Sequence, residues 1–168
     1  MKLTTRSYYS VKAMVDLSLR PPGHLASVRE IAQRQNLPAP YLEKLLIALR
    51  RAGLVTAVRG SQGGYILAKA PAQISLGQIL EAVGESAALL KIVYPASSAR
   101  ASGERTSLQP SSTNTPAPNN AADWVTVTLW QRLHQRLQAS LYSISLEELY
   151  YDARSWQAAQ GEEIHFVV

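Results

Sequence analysis

Large apolar side chains recur along the chain in short helical stripes, followed by one glycine-interrupted β-prone pair, a long polar stretch and two further helical stripes. Tyr8, Val11, Val15 and Leu19 lie at helical spacing, so residues 5–19 read as an amphipathic helix that stops before Pro21-Pro22-Gly23. Ser27 followed by Glu30 is a capping box, and Val28, Ile31 and Ala32 give the helix it opens an apolar face that ends near Asn36. Pro40, in a first-turn position where a missing N–H costs nothing, starts a third helix, and Gly53 stops it. Leu42, Leu45, Leu46 and Leu49 fall at i, i+3, i+4 and i+7, which commits one stripe of that helix to a core.

Leu54 to Val58 and Tyr65 to Leu67 are β-prone runs joined by Arg59-Gly60-Ser61-Gln62-Gly63-Gly64, a hairpin pattern. Ser75 with Gln78 opens a further helix through Ile79, Leu80 and Val83 to Gly84. Pro, Ser, Thr, Asn and Ala then dominate and bury too little to offset ordering entropy, so a mobile loop is expected. Beyond it Val127, Trp130, Leu133, Leu137 and Leu141 mark one face of a long helix. Ser145 with Glu148 caps a last helix bearing Leu146, Leu149, Tyr150, Ala153 and Trp156. The long helix has too little chain around it to cover Trp130 and the leucines, so a second subunit is expected to do so.

The fold class implied is mainly α with a small β-hairpin: a winged helix-turn-helix unit plus a long C-terminal dimerisation helix. Residues 1–85 are expected to form the winged helix-turn-helix unit, 86–122 the Pro/Ser/Asn-rich loop, 123–160 the dimerisation helices and 161–168 a tail. Trp130, Leu133, Leu137 and Leu141 are the expected dimer contacts.

Charge sharpens this picture. Residues 1–70 hold 11 Lys/Arg against Asp16, Glu30 and Glu43, whereas residues 71–168 hold 6 Lys/Arg against 9 Asp/Glu. A basic front half suits a polyanion, and double-stranded DNA is the expected partner. With no long apolar run and no leader pattern at Met1 to Arg6, the protein is expected to be cytoplasmic and to have no membrane partner. The chain has no cysteine, which removes disulfides, thiolate zinc sites and cysteine nucleophiles. Its three histidines, His24, His134 and His165, pair with no nucleophile at a recognisable spacing, so an enzyme is not expected. The glycine-rich hairpin lacks a following Lys-Ser/Thr and opens no helix, which argues against a nucleotide P-loop. Trp156, Tyr150 and Tyr151 fit core or dimer contact better than a ligand pocket.

DNA reading needs an exposed helical face that fits a groove roughly 12 Å wide. On the third helix Tyr41 can donate to a phosphate, Lys44 can neutralise one, and Glu43 can accept from a cytosine amino group. A carboxylate facing a polyanion is unfavourable unless it reads something, which makes Glu43 the candidate for base specificity. Arg50 and Arg51 end the helix, and Arg59 sits on the hairpin with Gly60 and Gln62, where small neighbours let a guanidinium reach a narrow minor groove.

The stretches Met1 to Arg6, Ile31-Ala32-Gln33-Arg34-Gln35, Tyr41-Leu42-Glu43-Lys44-Leu45, Arg50 to Val55 and Val58 to Tyr65 resemble the Rrf2 family of winged-helix regulators. The likeness runs through Glu85 and resumes at Leu129-Trp130. It implies a homodimer on a partly palindromic site, with residues 41–51 in the major groove and Arg59 in the minor groove. In iron-sulfur-cluster-binding members three cysteines lie in the segment matching residues 86–122; here that segment has neither Cys nor His, so a Cys-ligated cluster does not carry over and no cofactor is expected. The function implied is a sequence-specific DNA-binding regulator with no cluster or an unidentified signal. The alternative is a winged-helix protein-interaction or effector-sensing module.

Overall fold

A computed structural model of the chain describes residues 4–21, 23–60, 63–85 and 120–162. The expected loop thus lies outside the described residues as far as 119.

Helix α1 (Thr5–Ser18) starts at Thr4, whose side chain accepts from the Ser7 N–H, and gives way at Leu19 before Pro21. α2 (Val28–Gln35) carries the full reciprocal capping box, Glu30 N–H to Ser27 Oγ at 3.2 Å and Ser27 N–H to Glu30 Oε2 at 2.7 Å. Asn36 ends it in the left-handed region at φ 52°, which turns the chain through Leu37 into α3 (Ala39–Arg51). Strands β1 (Val55–Val58) and β2 (Gly64–Leu67) pair antiparallel with Val55 opposite Leu67 and Val58 opposite Gly64. A 3-10 turn (Pro71–Gln73) leads to α4 (Leu76–Ala82), again opened by a reciprocal cap between Ser75 and Gln78. The long α5 (Ala121–Ser143) and α6 (Leu146–Glu162) complete the described chain. Three helices, a two-stranded wing and further helices confirm the winged-helix fold class.

One core gathers these elements. The Leu42, Leu45, Leu46 and Leu49 stripe of α3 is buried as the spacing predicts, together with Met14, Ile31, Leu54, Val55, Ile74, Ile79 and Leu146. Fully burying one such side chain stabilises by about 1.5–3 kcal/mol. Leu146 brings α6 back onto the first helices, and α6 packs along α1. Two backbone bonds, Leu76 N–H to Ile144 O at 2.9 Å and Leu146 N–H to Ile74 O at 2.7 Å, stitch the corner between α5 and α6 to the start of α4.

Two features differ from the sequence pattern. α1 turns Ser7, Ser10, Ala13, Met14 and Leu17 fully inward, while Tyr8 is exposed and Val11 and Val15 are only half-buried. The serines tolerate burial because Ser10 Oγ donates to the Arg6 carbonyl at 2.8 Å and Ser7 lies beside the Thr4 cap, so small side chains admit close helix packing without an orphaned hydroxyl. Ala26 also adds a single bridge to the wing, exchanging both backbone bonds with Tyr65 at 3.0 and 2.8 Å. This contact requires Gly64, where a Cβ would stand 2.7 Å from the Ala26 carbonyl oxygen.

The segment joining α1 to α2 is braced by charge. Asp16, 2% exposed, accepts from Arg34 through two bonds of 2.9 and 2.7 Å and from Gln35 at 3.0 Å, with Arg20 at 3.8 Å. Burial alone would push its carboxyl up, but the hydrogen bonds from Arg34 and Gln35 and the charges of Arg34 and Arg20 outweigh burial and hold it below the usual carboxylate value.

Candidate nucleic-acid interface

Because the leucine stripe fixes the rotation of α3, the outward residues are fixed too. Glu43, Lys44, Arg50 and Arg51 are all exposed. Glu43 and Arg50, two turns apart, face the wing and line an open groove with Ser27, Arg59 and Tyr65. Lys44 and Arg51, likewise two turns apart, occupy the ridge opposite the leucines. Arg59 is exposed where β1 ends, followed by Gly60 at φ 133°, backbone that a side chain would resist. The structure therefore brings Glu43, Arg50, Arg59 and Gly60 around one concave surface and sets Lys44 and Arg51 beside it. Gln62 lies outside the described residues.

Tyr41 is half-buried, its ring edge-on to Tyr9 of α1 at 5.8 Å between centroids. Packing thus holds the ring at the start of α3.

Among the described residues, the ion pairs all involve Asp16, so Lys44, Arg50, Arg51 and Arg59 have no carboxylate within 4 Å. The three carboxylates of the basic front half are spent differently. Asp16 is neutralised in the core, and Glu30 binds its own helix cap, where the Ser27 N–H and hydroxyl hold its carboxyl below the usual value. Glu43 alone of the three faces the groove. The surface is a cationic cleft with one acidic group inside it, which suits a polyanion whose bases offer amino donors.

The long helix presents a second surface. Leu129, Trp130 and Leu133 are 58%, 47% and 51% exposed, Leu137 is half-buried, and Leu141 is buried within its own chain at 8%. Of the four expected dimer contacts, Trp130, Leu133 and Leu137 stay available, whereas Leu141 is already covered inside the protomer. Sequence spacing cannot separate these, because one stripe runs on from the free arm of α5 to the corner packed on α4. No helix among the described residues is long and apolar enough to cross a membrane.

The model of a family described as an iron-dependent transcriptional regulator, Rrf2, matches residues 3–152. A Synechocystis protein named as an HTH-type transcriptional regulator is 55% identical over 168 residues, all of both chains. Among solved structures, T. potens IscR superposes with a TM-score of 0.64 at 32% identity, covering 94% of this chain and 91% of that one. CymR, the global cysteine regulator of B. subtilis, superposes at 0.63 with 28% identity, covering 90% and 97%. The iron in the family's description finds no thiolate here, since the chain has no cysteine, and no cluster of three His, Asp or Glu able to hold a metal occurs among the described residues.

Proposed function

The chain belongs to the Rrf2 family of transcriptional regulators, and from that premise we propose that it reads DNA sequence as a homodimer without a cysteine-held cluster. α3 enters the major groove, Glu43 accepts from a base amino group, and Lys44, Arg50 and Arg51 neutralise phosphates on either side. The wing places Arg59 against the minor groove. The exposed Trp130 and Leu133 and the half-buried Leu137 of one protomer cover those of its partner and set two reading heads on one duplex.

The observation that carries the reading is the solitary free carboxylate, Glu43, inside a cleft it shares with Arg50 and Arg59, with Lys44 and Arg51 on the ridge beside it and none of the four cations paired to a carboxylate among the described residues. A surface built only for nonspecific attraction gains nothing from an acid there, whereas a base-reading surface does. Selection of duplexes from a randomised pool by the purified full-length protein tests it. An enriched inverted repeat is expected. Recovery of unenriched sequence, despite binding, would leave a nonspecific or protein-interaction module instead.

A further inference from the structure

Outside the cleft, α1 carries an arrangement that neither the core nor the α3 surface uses. Tyr8 is 61% exposed although aromatic, and the Lys12 ammonium lies 5.6 Å from the centre of its ring. Lys12 Nζ also donates to the Gln35 carbonyl at 2.6 Å, in the last turn of α2. That bond helps close the C-terminal end of α2 and uses one of the three ammonium donors. The other two meet no carboxylate among the described residues, because the acid one turn away, Asp16, is engaged by Arg34, Gln35 and Arg20.

Position gives this pair its meaning. Gln35 stands three residues before Pro38, the residue that caps the start of α3. Aromatic contacts continue in the same direction, Tyr8 to Tyr9 at 6.0 Å and Tyr9 to Tyr41, in the first turn of α3, at 5.8 Å. The outer edge of α1 is thus contiguous with the end of α3 expected to meet DNA. A lysine anchored to a main-chain carbonyl and flanked by a ring loses less rotamer freedom on binding than a free one.

We propose that Tyr8 and Lys12 form a second phosphate-contact point on α1, gripping the sugar-phosphate strand beside the major groove that α3 enters. This rests on the DNA-reading function above. The Lys12 ammonium donates to a phosphate oxygen, and the Tyr8 ring and hydroxyl pack against the adjoining sugar-phosphate. Since the contact reads no base, it strengthens binding to every sequence alike.

The test is the salt dependence of affinity for a duplex recovered by selection and for a scrambled one, comparing the wild-type chain with Lys12→Gln and Lys12→Arg. Lys12→Gln is expected to lower the slope of log affinity against log salt by about one on both duplexes, and Lys12→Arg to keep it. A wild-type slope in Lys12→Gln overturns the proposal while leaving DNA reading by α3 intact; wild-type protein that binds neither duplex overturns the function itself. Reductive methylation of the wild-type protein supplies an arm that needs no variant to fold. DNA is expected to protect Lys12 several-fold, and equal labelling with and without DNA contradicts the contact.

Discussion

Tyr142 of α5 donates its hydroxyl proton to Glu81 of α4 across 2.5 Å, which fixes the long helix to the winged-helix domain. The Glu81 carboxylate favours the protonated phenol and raises its pKa. The same ring lies over Gly77, where a Cβ would come within 2.4 Å of Cδ2 and 2.8 Å of Cγ, close to the root of the side chain and with little room to yield. With the backbone bonds at Ile74, Leu76, Ile144 and Leu146, this contact sets the angle at which an arm about 35 Å long leaves the domain.

Gly77→Ala is therefore expected to destabilise by about 1–3 kcal/mol through overpacking. Tyr142→Phe, which removes only the hydroxyl, should cost about 1 kcal/mol. Urea unfolding of the three proteins checks the order; a Gly77→Ala midpoint at or above that of Tyr142→Phe contradicts this packing.

The Asp16 network gives a pH-dependent prediction. Its folded-state pKa lies below the ordinary 3.8, so its contribution is complete above that value and is lost as pH falls through the lower folded value. Asp16→Asn should lower stability by about 1–3 kcal/mol at pH 7. The gap should narrow below about pH 4, and urea midpoints that keep a constant difference down to pH 3 contradict it.

Removing the free carboxylate of the cleft should relax specificity without weakening attraction. Glu43→Ala is expected to lose base preference at one position of each half-site while nonspecific affinity stays equal or rises. Binding to a panel of single-base operator variants decides this, and an unchanged preference profile removes Glu43 from the readout.

On the wing, Arg59→Ala should weaken binding and lower the salt slope by about one. An unaltered slope places Arg59 off the DNA.

For the arm, Leu133→Glu with Leu137→Glu should give monomers in sedimentation, since two buried carboxylates per protomer oppose each other across an apolar contact. Dimers that persist put the interface elsewhere.

How far the sequence reveals this molecule depends on whether its signals are local. The α3 leucines repeat within two turns, and each cap joins residues three apart, so both are legible in the linear pattern. The inward face of α1 is not, because Ser7 and Ser10 look polar until their hydroxyls are seen bonded to their own helix end. Asp16 to Arg34 spans 18 residues, Ala26 to Tyr65 is a single bridge, and Tyr142 to Glu81 spans 61 residues; none leaves a periodic trace. The same distinction divides the candidate surfaces. Glu43, Lys44, Arg50 and Arg51 follow once the leucines fix the helix rotation, whereas the half-burial of Tyr41 and the covering of Leu141 depend on neighbours distant in sequence.

The most direct test of the central claim, that the α3 and wing cleft reads base sequence, is a titration of the purified full-length protein against its selected duplex and a scrambled duplex of equal length and composition at the same salt. The account predicts at least about a thousandfold tighter binding to the selected duplex. Equal affinity for the two would contradict it.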